Sequence, residues 1–417
     1  MTRYVVLGNS AAGLTATDAI RQRDKSGQIT VISKEPDVAY SRVALPYILS
    51  QEKNLRQITL REDDYFKANN VEKIVGVGAT ALDAASKSVR LDDGRAIGYD
   101  KLLIGTGSLS RVPPVQGIEE ADVCYHWTLA DTRKLQDQVR GAKSCFVIGA
   151  GFISLLTVSA LIKVAALKYT VVEMAGQVMP QLLDEEGGRA LERGMREKGI
   201  DAVLGDVASS IERRNGGYRI TMKSGKAHDA DMIVCGTGVR PNVEFLKGSG
   251  IEIASGVLTT ERQETNLPDV YAAGDCAEGF DFLSGERAIH AIWPTAIDQG
   301  RVAGANMAGD SQTYPGSLSW NVTELFGLTS ASIGEFRERD GWEPIVFHNP
   351  GANVYRKLLL DGGRIVGAVV LGRAEHVQDL GVVQAMIRRR TDVSRWKHLM
   401  QGERINYGML AYESAKV

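Results

Sequence analysis

The stretch Lys143–Ile162, KSCFVIGAGFISLLTVSALI, admits two readings. From Ser144 to Ile162 it carries no charge and is long enough to cross a bilayer. Gly149 and Gly151 fall in its first third, however, and Lys143 and Lys163 flank it. Two glycines at that place are what a buried strand turning sharply into a buried helix needs. The stretch is expected to be strand, turn and helix, followed by a second strand, YTVVEM, ending at Glu173. No membrane span is expected.

The same grammar occurs earlier. RYVVLGNSAAGLTATDAI, Arg3–Ile20, runs an apolar strand into Gly8, a turn to Gly13 and an amphipathic helix, and QITVISKE closes the unit near Glu35. Each copy is a β-α-β unit of roughly thirty residues. In such turns the first glycine permits the tight bend, the second lets backbone approach a pyrophosphate, and the third lets helix pack on strand. Phosphates then sit at the helix N-terminus, where free N–H groups and the helix dipole favour negative charge. Both copies are imperfect. Ser10 replaces the middle glycine of the first, and Ser154 the third glycine of the second. Serine is the smallest polar replacement, so the geometry is expected to be strained rather than abolished.

Composition narrows the possibilities. The 417 residues suffice for two or three domains, and a formal net charge of -2 gives no reason to expect nucleic acid or an anionic membrane as partner. Cysteines at 124, 145, 235 and 276 form no C-x-x-C pair and no metal-ligand cluster. Neither a disulfide framework nor a metal site is expected, and a reducing cytoplasm is the default. The first strand begins almost at Met1, so no presequence is expected.

Three further stretches complete a pattern. YDKLLIGTGS (Tyr99–Ser108) and ADMIVCGTGVRPN (Ala230–Asn242) each run an apolar strand into Gly-Thr-Gly. TNLPDVYAAGDCAE (Thr265–Glu278) brings a strand into Ala-Gly-Asp, and WPTAIDQGRVAGANMAG follows. In this order the set resembles the FAD-dependent pyridine-nucleotide oxidoreductase family over nearly the whole chain. The fold so implied is α/β, with two nested Rossmann-like dinucleotide-binding domains and an α+β C-terminal interface domain. The resemblance divides the chain into a split FAD domain (1–112 and 243–320), an inserted NAD domain (113–242) and the interface domain (321–417).

The resemblance also implies site residues. For FAD these are Gly8, Ser10, Ala11, Ala12 and Gly13 at the pyrophosphate, and Glu35 or its neighbour Ser33 at the adenosine ribose. Thr106, Gly107, Asp275, Pro294 and Thr295 complete the FAD set, Asp275 matching the aspartate that bonds the ribitol or phosphate. Arg42 matches an arginine that approaches the flavin nucleotide. For NAD the set is Gly149, Gly151, Phe152, Ile153, Glu173 and Gly238. A carboxylate at Glu173 would accept hydrogen bonds from the adenosine ribose and repel a 2′-phosphate, favouring NAD over NADP.

Branches of this family differ in what receives the electrons. Where thiol-dependent members carry a redox cysteine within S-x-C-A-L-P-Y, this chain reads YSRVALPY, with Val43 at the cysteine's place. An isopropyl group forms neither thiolate nor sulfenic acid, so disulfide and peroxide chemistry are not expected. Cys276, beside Asp275, reads as small buried filler. The stretch KEPDVAYSRV instead resembles the flavin modules of nitrite, rubredoxin and ferredoxin reductases, although Tyr47 stands where ferredoxin reductases place a lysine. The C-terminal acid–base pair of the disulfide reductases has no counterpart in the tail INYGMLAYESAKV. Leu156 occupies the place of a glutamate that positions nicotinamide, so the NAD site is expected to be retained but weakened.

Without a thiol relay, FAD itself must exchange electrons with NAD(H) on one side and with an iron–sulfur protein or subunit, ferredoxin-like, on the other. No catalytic side chain is implied. The run MIRRRTDVSRWKHLMQGER, with Arg388, Arg389, Arg390, Arg395, Lys397 and Arg404, reads as a solvated face or as a docking surface for an acidic carrier. A chain with no substrate module of its own fits a hetero-oligomeric complex, such as the flavoprotein subunits that serve 2-oxoacid dehydrogenases of the phenylglyoxylate type. An NADH oxidase, or a non-catalytic FAD-binding scaffold with a decayed NAD site, are the other expectations.

Overall fold

A computed structural model describes residues 1–405 and 408. Two parallel sheets carry the glycine turns. In the first, strands run Val270–Ala272, Lys101–Ile104, Arg3–Leu7, Gln28–Ser33 and Val71–Val75 across the sheet. In the second the order is Met232–Cys235, Ser144–Ile148, Lys168–Glu173 and Ile200–Leu204. The two layouts match. Leaving out the edge strand Val270–Ala272, each places the strand that enters its glycine turn between the strand that runs into Gly-Thr-Gly and the second strand of its β-α-β unit, and each unit carries a three-stranded antiparallel meander, at 79–98 and 208–230.

Burial on both faces explains why the strands read as apolar runs. Tyr4, Val6, Ile29, Val31 and Leu103 pack on the helix side, while Val5, Leu7, Ile32, Leu102 and Ile104 pack on the meander side. The uncharged stretch Ser144–Ile162 resolves as the strand Ser144–Ile148 and the helix Phe152–Leu161. No helix of the described residues is long and apolar enough to cross a membrane.

Contacts group the chain into two compact units. One comprises Met1–Arg111, Trp127–Thr132 and Val239–Leu318; the other comprises Val112–His126, Arg133–Gly238 and the segment from Ser319 onward. Within the first unit the short strands Ser108–Ser110 and Val239–Pro241 pair antiparallel, with Ser108 opposite Pro241. Trp127–Thr132 lies inside the stretch assigned by sequence to the insertion, yet it groups with the first unit because Tyr40, Arg42 and Ser108 hold it.

Also in the first unit, the helices Ala11–Arg23 and Trp293–Met307 lie against each other backbone to backbone. A Cβ on Gly300 would meet the Ala12 carbonyl oxygen at 2.3 Å, and one on Gly304 the Ala16 oxygen at 2.4 Å. In the second unit, the C-terminal strands form a five-stranded antiparallel sheet, ordered 320–325, 328–334, 364–372, 354–361 and 343–349. The helix Leu380–Arg389 follows it. The tail INYGMLAYESAKV lies, apart from Ile405 and Gly408, outside the described residues.

Candidate functional site

The first glycine turn is dictated by the protein's own backbone. A Cβ at Gly8 would lie 2.1 Å from the Gly105 carbonyl oxygen, and one at Gly13 would lie 1.9 Å from that of Gly8. Strand, turn and helix therefore meet too closely for any side chain. Ser10 caps the helix Ala11–Arg23 in extended backbone without spending its hydroxyl on the cap, and no acid sits in the first turn. The first N–H groups of the helix, at Ala11, Ala12 and Gly13, keep their affinity for an anion. Asn9 Oδ1, in the same turn, is buried and finds no hydrogen-bond partner among the described residues. A buried acceptor left so costs about 1–3 kcal/mol, and a cofactor hydroxyl would satisfy it.

A buried polar cluster lies in the same unit. Ser108 Oγ donates to Asp275 Oδ2 at 2.7 Å. Burial pushes the Asp275 carboxyl above the usual range, while that hydroxyl and the charge of Arg42 pull it back. Arg42 donates to Glu35 Oε1 and to the Trp127 carbonyl, and its guanidinium sits 5.7 Å from the ring centroids of both Tyr40 and Trp127. Tyr40 donates to Glu35 Oε2 and accepts the Leu129 N–H at 3.0 Å. Burial opposes the Arg42 charge, but Tyr40 and Glu35 outweigh it and the pKa of Arg42 rises.

Glu35 is thus the hub that holds Tyr40 and Arg42. Ser33 directs its hydroxyl to the Glu35 carbonyl at 3.2 Å. Thr106 Oγ1 donates to the Asn242 carbonyl at 2.7 Å, and Asn242 N–H to the Gly107 carbonyl at 2.9 Å. Gln299 Oε1 accepts the Gly274 N–H at 2.8 Å and so fixes the backbone just before Asp275. Pro294 opens the helix Trp293–Met307, again with no acid in the first turn, and Thr295 is buried there. Cys276 donates its thiol to the Ile104 and Ala273 carbonyls at 3.3 and 3.4 Å, and burial pushes its pKa up. It is filler, not a nucleophile. Val43 is 59% exposed.

Sequence reading missed Ser108, Trp127, Tyr40, Gln299 and Asn9. Tyr40 and Asn9 each adjoin a motif residue, but Trp127, in HWTLADT, carries no local signal at all.

The second turn differs in kind. A Cβ at Gly149 would lie 2.6 Å from the Gly236 oxygen, yet one at Gly151 finds only that oxygen, at 3.9 Å. No protein atom demands a glycine at 151, and the space over it suits a phosphate. Ser154, fully buried at the third glycine's place, donates its hydroxyl to the Gly236 carbonyl at 3.0 Å. The strain expected there is relieved by a hydrogen bond. Glu173 Oε2 accepts the Ala150 N–H at 2.8 Å and Oε1 the Ala175 N–H at 3.0 Å, bracing the turn while each oxygen keeps a free lone pair. Phe152 and Ile153, half-buried, open the helix beyond Gly151, and its first turn holds no acid. Gly238 follows the strand Met232–Cys235 with φ of 96° and open space around it.

Both turns fit a dinucleotide, and known proteins agree. The sequence profile of the pyridine nucleotide-disulphide oxidoreductase family matches residues 2–300, and that of the rubredoxin NAD+ reductase C-terminal domain matches residues 321–388. The epsilon subunit of an NADH-dependent phenylglyoxylate dehydrogenase from Aromatoleum evansii is 34% identical over 398 residues, 94% of this chain and 93% of that one. An NADH oxidase from Methanocaldococcus jannaschii is 33% identical over 396 residues, 89% of this chain and 87% of that one. Among solved structures, an NAD-dependent persulfide reductase from A. fulgidus superposes with a TM-score of 0.86 at 29% identity, over 94% of this chain and 78% of the other. With one family profile running through both glycine turns and on past Asp275, the chain belongs to the pyridine nucleotide-disulphide oxidoreductase family, whose members bind FAD and NAD(H).

Proposed function

We propose that this chain moves electrons between NAD(H) and an iron–sulfur protein or subunit, with FAD as its only redox group. FAD bound in the first unit supplies a ring that takes a hydride as a pair and returns electrons singly. The observation that carries the reading is the state of the thiols. All four cysteines are buried and unbridged, and Val43 stands where thiol-dependent members place theirs. The likeness of the C-terminal part to that of rubredoxin NAD+ reductases supports an iron-protein partner, and the phenylglyoxylate dehydrogenase relative supports service inside a larger complex. Free buried thiols suit a reducing cytoplasm.

In this reading Gly8 to Gly13 cradle the FAD pyrophosphate, Asp275 bonds its ribityl or phosphate oxygens, and Glu35 and Arg42 line the nucleotide. Gly149, Gly151 and the N–H groups of Phe152 and Ile153 receive the NAD pyrophosphate, and Glu173 receives the adenosine ribose. The split FAD part (1–112 and 243–320), the inserted NAD part (113–242) and the C-terminal part (321–417) are the domains that do this.

Anaerobic titration with NADH tests the core of the proposal. Submillimolar NADH should bleach the bound flavin, with NADPH at least tenfold less effective because Glu173 repels a 2′-phosphate. Failure of NADH to bleach at that concentration would leave the scaffold reading standing. The NADH oxidase relative favours a second reading, direct delivery to oxygen; oxygen uptake matching NADH consumption without a carrier would select it.

The basic run supplies the docking face in this proposal. Arg388 and Arg389 end the helix Leu380–Arg389, Arg390 takes left-handed backbone with φ of 51°, and Arg395 and Arg404 are exposed. Lys397 is engaged by Glu343. Reversing Arg389, Arg390 and Arg395 to glutamate should slow reduction of an acidic iron–sulfur carrier at least tenfold at low salt, with NADH-to-dye activity unchanged. Equal loss of both activities would remove the docking role.

A further inference from the structure

Two groups act on the buried Asp275 carboxylate, the Ser108 hydroxyl and the Arg42 guanidinium. Both are tied to one residue. Trp127 Nε1–H donates to the Ser108 carbonyl at 2.7 Å, and the Trp127 carbonyl accepts from Arg42. The tie is closed into a ring. From Arg42 it passes to Glu35, from Glu35 to Tyr40, and from Tyr40 to the Leu129 N–H, two residues beyond Trp127. Asp131 Oδ2 accepts the N–H groups of Trp127 and Thr128 at 3.1 and 2.8 Å, so the segment is braced from its own side as well. Every member of the ring lies in the first unit.

From this juxtaposition we infer that Trp127 is a positioning residue of the FAD site, holding by its indole N–H the Ser108 that bonds Asp275, and by its carbonyl the Arg42 that lies in the same polar ring. The inference rests on the FAD site proposed above. An indole N–H is a donor only and cannot accept, so it holds the Ser108 carbonyl, and with it the backbone from which the Ser108 hydroxyl reaches Asp275. Without that bond the hydroxyl has other rotamers, and the buried carboxylate loses a partner it cannot replace from solvent. With FAD bound, an ionised Asp275 near the ring would disfavour electron uptake; losing the Ser108 donor, which holds the carboxyl's pKa down, would favour its neutral form and disfavour uptake less.

Trp127→Phe keeps an aromatic ring and the backbone carbonyl that Arg42 contacts, and deletes the indole N–H together with the five-membered ring that carries it. It should weaken FAD binding about fivefold to tenfold, the worth of one buried hydrogen bond. It should also raise the flavin midpoint potential, by as much as a tenfold change in the reduction equilibrium, or about 30 mV for a two-electron couple. Ser108→Ala should do the same, and Trp127→Phe should add nothing in the Ser108→Ala background, because the indole acts through that hydroxyl. A purely structural role would lower the melting temperature of the flavin-free chain and leave the potential unmoved.

Equilibrium dialysis against FAD, spectroelectrochemical titration and melting of the flavin-free chain read the four proteins of the cycle. Additive effects of the two substitutions, or an unchanged potential in Trp127→Phe, overturn the inference while the FAD site stands. Absence of FAD binding by the unaltered chain overturns the site itself, and the inference with it.

Discussion

Replacing Gly13 with alanine is expected to give a protein that purifies without yellow colour and takes up no added FAD. The added Cβ would lie 1.9 Å from the Gly8 oxygen, 2.9 Å from the Gly8 carbonyl carbon and 3.1 Å from a Val6 methyl. The first two contacts are backbone, which no rotamer change relieves. The helix must retreat from the strand, at the upper end of the ~1–3 kcal/mol usual for overpacking or beyond it, and its N–H groups move away from the pyrophosphate. Equilibrium dialysis should show at least a hundredfold loss in FAD affinity, with circular dichroism reporting how much secondary structure survives. Wild-type flavin content in this variant would mean that the turn does not carry the cofactor.

The second large effect separates the two nucleotide sites. Gly151→Val should keep its FAD and its melting temperature, because the new side chain meets no protein atom closer than 3.9 Å at its Cβ and the backbone there is extended, with φ of -81°. The isopropyl group instead fills the space proposed for the NAD pyrophosphate. Half-saturation by NADH should rise at least a hundredfold, equivalent to about 3 kcal/mol, in stopped-flow bleaching of the bound flavin. An unchanged NADH dependence would show that the coenzyme does not pass over this turn. Gly13 and Gly151 are the same residue type in the same motif, but one is required by neighbouring protein and the other by a ligand.

That distinction marks how far the sequence could be read. Both sheets were legible, because a strand buried on both faces must be a run of Val, Ile and Leu and a tight turn must carry glycine. The glycines of the two turns were legible for the same reason. The polar ring around Asp275 was not. Its members lie at 35, 40, 42, 108, 127 and 275, and only chain folding brings them together. Trp127 offers no periodicity, spacing or charge that points to it. Ser154 was legible as a departure from the motif, but its remedy, a hydrogen bond to Gly236 across 82 residues, was not. Glu35 was read as a ribose ligand or a solvated acid, and its bonds to Tyr40 and Arg42 fit neither description alone.

The pairing of Ser108–Ser110 with Val239–Pro241 has a consequence for how such a chain could arise. Apart from Trp127–Thr132, which groups with the first unit, the residues between them leave that unit at Val112 and rejoin it at Val239, so the paired strands meet the visitor much as they would a short hairpin loop. Closing a loop grows costlier only with the logarithm of its length, so a whole second module can be lodged there without unpicking the first. The matching strand orders of the two sheets suit an ancestor that received a copy of itself between those paired strands. Two modules so related can carry different departures from one motif, as Ser10 and Ser154 do here.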